Sequence, residues 1–108
     1  MQRKNVPGGV IVGNLFFMSG CCNLGETVEE EIRKNMEELG QFLAGQGCSF
    51  KDIVKATVYL KDLNDRERCL NAIWKEYFPE NPPARTCIEA GSGKCRVEIE
   101  FVAVLPDA

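Results

Sequence analysis

Apolar and polar positions follow two different periods along this chain. In GGVIVGNLFFMSG, the apolar runs 10–12 and 15–18 flank Gly13-Asn14, a dipeptide suited to the positive φ of a two-residue turn, and predict a β-hairpin. From Glu26 the period lengthens. Val28, Ile32, Met36, Leu39 and Leu43 mark one helical face, Thr27 with Glu30 three residues on makes a capping box, and Gly45 and Gly47 close the helix. DIVKATVYLKD returns to period two, with Val54, Ala56, Val58 and Leu60 on one face and Lys55, Thr57 and Tyr59 on the other. A second helix is expected from Asn64, with Glu67 three residues on, through Leu70, Ile73, Trp74 and Tyr77 until Pro79 stops it. Two last strands follow, at 85–90 and 96–105, joined as a hairpin through Gly91-Ser92-Gly93.

The order ββαβαββ predicts an α+β fold, a mixed sheet with two helices on one face. The helix-covered face carries Val54, Ala56, Val58 and Leu60 with Val97, Ile99, Phe101 and Ala103. The opposite face of the last strand reads Arg96, Glu98, Glu100, Val102, Val104, and Phe16 and Phe17 of the first hairpin are both large and apolar. Half of that second face needs cover that no remaining helix provides, and self-association is the simplest source.

Length and composition narrow the picture. The 108 residues, 44% of them hydrophobic and 27% charged, suit one domain spanning 1–108. No apolar run is long enough for a membrane span, and MQRKNVPGG lacks the apolar centre of a secretory signal, so a cytoplasmic location is expected. A net charge of −3 gives no bulk attraction for a phosphate backbone. Histidine is absent, which removes His-based triads and ordinary Cys/His zinc sites and leaves acid–base work to carboxylates, Tyr, Lys, Cys or water. The six cysteines show no CxxC spacing and read mostly as small buried hydrophobes. For the adjacent Cys21 and Cys22, packing or cleft lining is expected in preference to a strained bond between neighbours.

Residue parity puts Arg85, Cys87 and Glu89 on one side of their strand. In a hairpin they would face Arg96, Glu98 and Glu100, while Thr86, Ile88 and Ala90 would face the core. A guanidinium gives a bidentate grip on a carboxylate, and a nearby carboxylate can orient or deprotonate water. A cross-strand ion pair that merely stabilises the sheet fits the same spacing.

NPPARTCIEAG and CRVEIEFVAV, with VGNLFFMSG, DIVKATVYLKDLND and LNAIWKEYF, resemble the RidA family, also called YjgF/YER057c/UK114 or L-PSP endoribonuclease, over about residues 10–105. The resemblance implies a chorismate-mutase-like fold and a homotrimer with inter-subunit clefts. It implies hydrolysis of reactive 2-imino or 2-enamino acids to 2-oxo acids and ammonia, with no metal and no cofactor. By the same resemblance Arg85 matches the arginine that clamps the substrate carboxylate, and Glu98 the glutamate that positions the attacking water. Asn71, Cys87, Ser19 and Gly20 match substrate-binding positions.

Three features depart from the family pattern. Val6, in NVPGG, stands near the place of the family's tyrosine; SGCCNLGET shortens a lid-like loop; GSGKC is a shorter turn before the last strand. Two alternatives accompany the deaminase: an endoribonuclease or translation inhibitor acting on single-stranded RNA, which the resemblance also implies, and a non-catalytic trimer binding small carboxylates, which these departures favour. The acidic balance and the lack of an aromatic and basic stripe disfavour RNA.

Overall fold

A computed structural model describes residues 2–91 and 93–106. Among the described residues six strands form one mixed sheet: β1 (Arg3–Val6), β2 (Gly9–Val12), β3 (Leu15–Met18), β4 (Ile53–Leu60), β5 (Ala84–Glu89) and β6 (Val97–Val104), in the spatial order β1-β2-β3-β6-β4-β5. Helix α1 (Val28–Gly45) and helix α2 (Asn71–Tyr77) lie on one face of the sheet, as the pattern predicts.

The local signals act where they occur in the sequence. Gly13 takes φ 61° in the β2–β3 turn, which pairs Val12 with Leu15. Thr27 caps α1, its hydroxyl accepting from the Glu30 amide at 3.1 Å, and Gly47 at φ 73° follows the helix end. The buried stripe of α1 comprises Ile32, Met36, Leu39 and Leu43, together with two polar residues that periodicity alone did not assign to it, Glu31 and Asn35. These helices cover Ala56, Val58 and Leu60 of β4 and Val97, Ile99, Phe101 and Ala103 of β6, all at 1% exposure or less.

The structure adds a strand and corrects several expectations. β1 precedes the expected hairpin and pairs with β2 through the turn Pro7-Gly8, with Gly8 at φ 88°. A side chain on Gly8 would run into the Phe42 ring, so both conformation and space require glycine there. Val54 is 48% exposed instead of buried, because a register shift between Ile53 and Lys55 puts Ile53 into the core in its stead. The second helix opens later than Asn64, with a π-helical turn over Arg66–Leu70 that leads into α2; the Asn64 and Glu67 cap does not form.

The largest correction concerns β5 and β6, which do not form a hairpin. β5 pairs parallel with β4 and is an edge strand, while β6 runs antiparallel between β4 and β3. The physical reason lies in the connection: β4, the α2 segment and β5 make a strand–helix–strand crossover, which sets its two strands parallel and side by side. Of the turn residues expected between β5 and β6, Ser92 lies outside the described residues, and Gly93 has φ 72°.

Candidate active site

With β5 in this position, the parity argument for Arg85 reverses. Arg85 stands beside Ala56, Cys87 beside Val58 and Glu89 beside Leu60, so the three lie on the helix side of the sheet. Thr86 and Ile88 are on the opposite side, where the Lys55 ammonium donates to the Thr86 hydroxyl at 2.6 Å and Ile88 is 42% exposed. Glu98 pairs with Tyr59 on that same open face. Arg85 and Glu98 of one chain therefore do not share a face, contrary to the sequence expectation.

The predicted residues instead form two clusters. In the first, Arg85 on the edge strand is fixed by α2. Its Nη2 donates to Asn71 Oδ1 at 2.8 Å, and its guanidinium carbon lies 5.2 Å from the centroid of the Trp74 ring. The π turn makes this contact possible: the Asn71 amide bonds back to the Arg66 carbonyl, and the wider turn leaves Leu70, Ile73 and Trp74 buried and Asn71 at the rim. Cys87, half-buried next along β5, packs against the core. Burial pushes its thiol above the usual range, against the opposing pull of the Arg85 and Arg66 charges. It is thus a neutral wall of the cluster, not a thiolate nucleophile.

The second cluster joins the end of β3 to the start of β6. The Ser19 amide donates to the Gly8 carbonyl at 2.8 Å, and Cys21 bridges Ile99, with Cys21 N to Ile99 O at 2.8 Å and Ile99 N to Cys21 O at 3.2 Å. This pairing sets Gly20 against the Glu98 side chain: a Cβ on Gly20 would collide with Glu98 Oε2 and lie 3.1 Å from its Cδ. A side chain on Gly20 would thus have to push the Glu98 carboxylate aside, with no special backbone angle involved. Val6 packs against the core, so no hydroxyl stands at the point where the resemblance expects one.

Residue types alone did not reveal what lies behind this cluster. Glu31, 1% exposed on α1, accepts from the Arg96 backbone amide at 2.8 Å and from Arg96 Nε at 2.7 Å, and forms an ion pair with Nη2 at 2.6 Å. Arg96 Nη2 also donates to the Gly25 carbonyl at 2.7 Å. Asn35 donates to the Val97 carbonyl at 3.1 Å and accepts from Asn23 at 2.9 Å. Cys22 and Cys95 form a disulfide with Cα atoms 5.9 Å apart, which corrects the reading of Cys22 as packing or cleft lining and of Cys95 as a buried hydrophobe. Cys21, buried beside the disulfide, stays a free thiol; burial first, and then the Glu38 and Glu98 carboxylates, push its pKa up to about 12. The signal that could have found Glu31 and Asn35 is their place on the apolar stripe of α1, where polar side chains need buried partners. On the open face nearby, the Tyr59 hydroxyl donates to Glu100 at 2.8 Å.

Among the described residues no group of three or more His, Cys, Asp or Glu could hold a metal ion. No helix of the described residues is long and apolar enough to cross a membrane.

Solved structures share this α+β architecture. A YjgF-family protein of Neisseria meningitidis superposes with a TM-score of 0.87 at 31% identity, over 94% of this chain and 87% of that one. A protein of Thermotoga maritima described as a putative endoribonuclease gives 0.84 at 30% identity, over 93% and 86%. The family model for endoribonuclease L-PSP matches residues 4–105, and the chain belongs to this family, the one also called RidA or YjgF. Among curated relatives, a RutC family protein of Pyrococcus abyssi is 38% identical over 86% of this chain and 79% of its own length. The human 2-iminobutanoate/2-iminopropanoate deaminase is 39% identical over 71% of this chain, which spans 57% of that enzyme's length.

Proposed function

We propose that this protein hydrolyses 2-imino acids, and the enamines that tautomerise to them, to 2-oxo acids and ammonia, at sites completed by two copies of the chain. The observation that carries the reading is the state of Arg85. Its guanidinium is anchored by Asn71 and Trp74, yet it makes no ion pair with a carboxylate among the described residues, so its remaining donors suit a substrate carboxylate. The names of the curated deaminases among its relatives point the same way.

Arg85 and Glu98 lie on opposite faces of the sheet, so a site using both draws Arg85, Asn71 and Cys87 from one copy and Ser19, Gly20 and Glu98 from another. The open face supports such an assembly. Val10, Phe17 and Val102 align across three strands there with Phe17 45% exposed, an apolar strip suited to burial between copies of a homotrimer.

In this reading Arg85 grips the substrate carboxylate and fixes the imine carbon in the cleft. Glu98 holds a water against that carbon and takes its proton as the oxygen attacks. The tetrahedral carbinolamine then collapses, its nitrogen leaving as ammonia with the proton returned, and the carbon–oxygen double bond remains. No step needs a metal or a histidine. The imines hydrolyse in water unaided, so orientation and one poised base supply the acceleration.

The test generates 2-aminoacrylate in situ with a dehydratase and follows 2-oxo acid release with wild type, Arg85→Ala and Glu98→Ala, each checked for assembly mass. The expected result is acceleration by wild type and its loss in both assembled variants. A folded, assembled wild type that leaves the spontaneous rate unchanged would overturn the reading in favour of a non-catalytic carboxylate binder.

A further inference from the structure

Glu98 is the second residue of β6, and the residues on either side of it are tied to the segment 21–25 and to α1 by a set of contacts that its role as a base does not explain. Cys95 is bonded to Cys22, Arg96 spans Glu31 and the Gly25 carbonyl, the Val97 carbonyl is held by Asn35, and Ile99 exchanges backbone hydrogen bonds with Cys21. All but one of these ties are noncovalent and independent of redox conditions. The exception joins positions 73 residues apart, and its two ends differ in access: Cys22 is exposed and Cys95 is 3% exposed.

The position of this bond matters more than its presence. Cys22 lies two residues after Gly20, and Cys95 three before Glu98. The Glu98 carboxylate fills the space beside Gly20, where any side chain on Gly20 would displace it. The disulfide therefore spans the junction that sets the distance between the Glu98 carboxylate and the backbone at Gly20.

We propose that the Cys22–Cys95 disulfide is a redox-sensitive staple that positions Glu98 for the deaminase reaction. The coupling to activity rests on the deaminase reading above. In the oxidised chain the segment 21–25 is fixed to the start of β6 and Glu98 stands at its working position. A dithiol reduces the bond through a mixed disulfide. The dithiol gives up two electrons and two protons and becomes a cyclic disulfide, while Cys22 and Cys95 each gain an S–H. Glu31 and Asn35 keep the reduced chain folded, but the Cys21–Ile99 pairing, and with it the Gly20 and Glu98 junction, loosens. Cys22 and Cys95 act through Glu98 and touch no substrate; they are positioning residues. A reducing compartment would hold the chain in its low-activity form and oxidation would raise its activity.

The experiment compares air-oxidised wild type, wild type reduced by a dithiol, and Cys22→Ser, which removes the exposed partner and leaves buried Cys95 in place. Mass and thiol titration define each state, and kcat and KM for imine hydrolysis are measured well below the unfolding temperature. Amide hydrogen exchange at Cys21 and Ile99 is followed against the β4 amides. We expect reduction to lower kcat by about ten- to a hundredfold with little change in KM, since Arg85 still binds the substrate. Cys22→Ser should match the reduced form and ignore the dithiol, and exchange should quicken at Cys21 and Ile99 but not in β4. A merely structural bond would shift the melting temperature and leave kcat unchanged. Full activity in the verified dithiol form, or all six cysteines titrating as free thiols in the air-oxidised chain, would overturn the proposal. An oxidised chain inert toward imino acids overturns the deaminase reading instead, and amide exchange then decides the staple: quickening on reduction supports it and no change defeats it.

Discussion

The carboxylate of Glu98 occupies the space in which a side chain on Gly20 would stand. The contact arises because Cys21 pairs with Ile99, which brings the end of β3 alongside the start of β6. The narrowness of this contact makes it testable without touching any charged group.

Gly20→Ala should displace the Glu98 carboxylate and lower kcat for imine hydrolysis by about tenfold or more, the size of effect expected when a reacting group is misplaced by about an ångström. Gly20 is exposed and has no positive φ, so stability should change by no more than about 0.5 kcal/mol. Steady-state kinetics with a thermal melt checks both. A fall in stability matching the fall in rate would mean that the fold, and not the carboxylate, had been disturbed.

Placement of Arg85 and Glu98 on opposite faces predicts complementation. Arg85→Ala and Glu98→Ala chains, each inactive alone, should regain activity when unfolded together and refolded as mixed assemblies. Random 1:1 mixing in a cyclic trimer leaves about one quarter of the clefts with both residues intact, so recovery should approach a quarter of the wild-type rate. Sites built within one chain would give no recovery at all.

Cys21 predicts an alkaline limit to stability. Its folded pKa, pushed up to about 12, lies above the ordinary thiol value of 9.0, so the folded chain keeps a proton that the unfolded chain releases. The sign follows: this contribution is fully present below pH 9.0 and is lost progressively as the pH rises toward about 12. Cys48, Cys69 and Cys87 are shifted in the same direction by burial and add to the slope. Melting temperatures of wild type and Cys21→Ala between pH 8 and pH 11 should diverge from the common trend, with the variant losing less as the pH rises. Parallel curves would rule out Cys21 as a contributor.

The parts of this molecule that were legible in the sequence are those fixed by near neighbours. Gly13-Asn14 makes its turn, Thr27 caps α1, and the alternation in β6 sorts Val97, Ile99, Phe101 and Ala103 from Glu98 and Glu100, because each depends on residues a few positions away. Strand adjacency is a different kind of information. A hairpin of the consecutive strands β5 and β6 would set Arg85 facing Glu98; the crossover through α2 puts β4 between them. Period two carried through Val54 fails at a bulge that the alternation does not announce. The partner of Cys22 lies 73 residues away, and spacing alone selects no pairing among six cysteines. The site residues named from the family resemblance do cluster, but in two groups, and the buried support from Glu31, Asn35 and Arg96 becomes visible only when α1 is laid on the sheet.

Trp74 is the only tryptophan in the chain, and it lies beneath the Arg85 guanidinium. The intrinsic fluorescence of the protein thus comes from a single indole in contact with the group proposed to receive the ligand. A carboxylate that draws Arg85 toward itself changes the charge above that ring, and the emission should respond whether or not any bond is broken. Stable 2-oxo acids and other unreactive analogues can then be titrated directly by optical signal, and the preference of the cleft for side-chain size and shape measured separately from turnover.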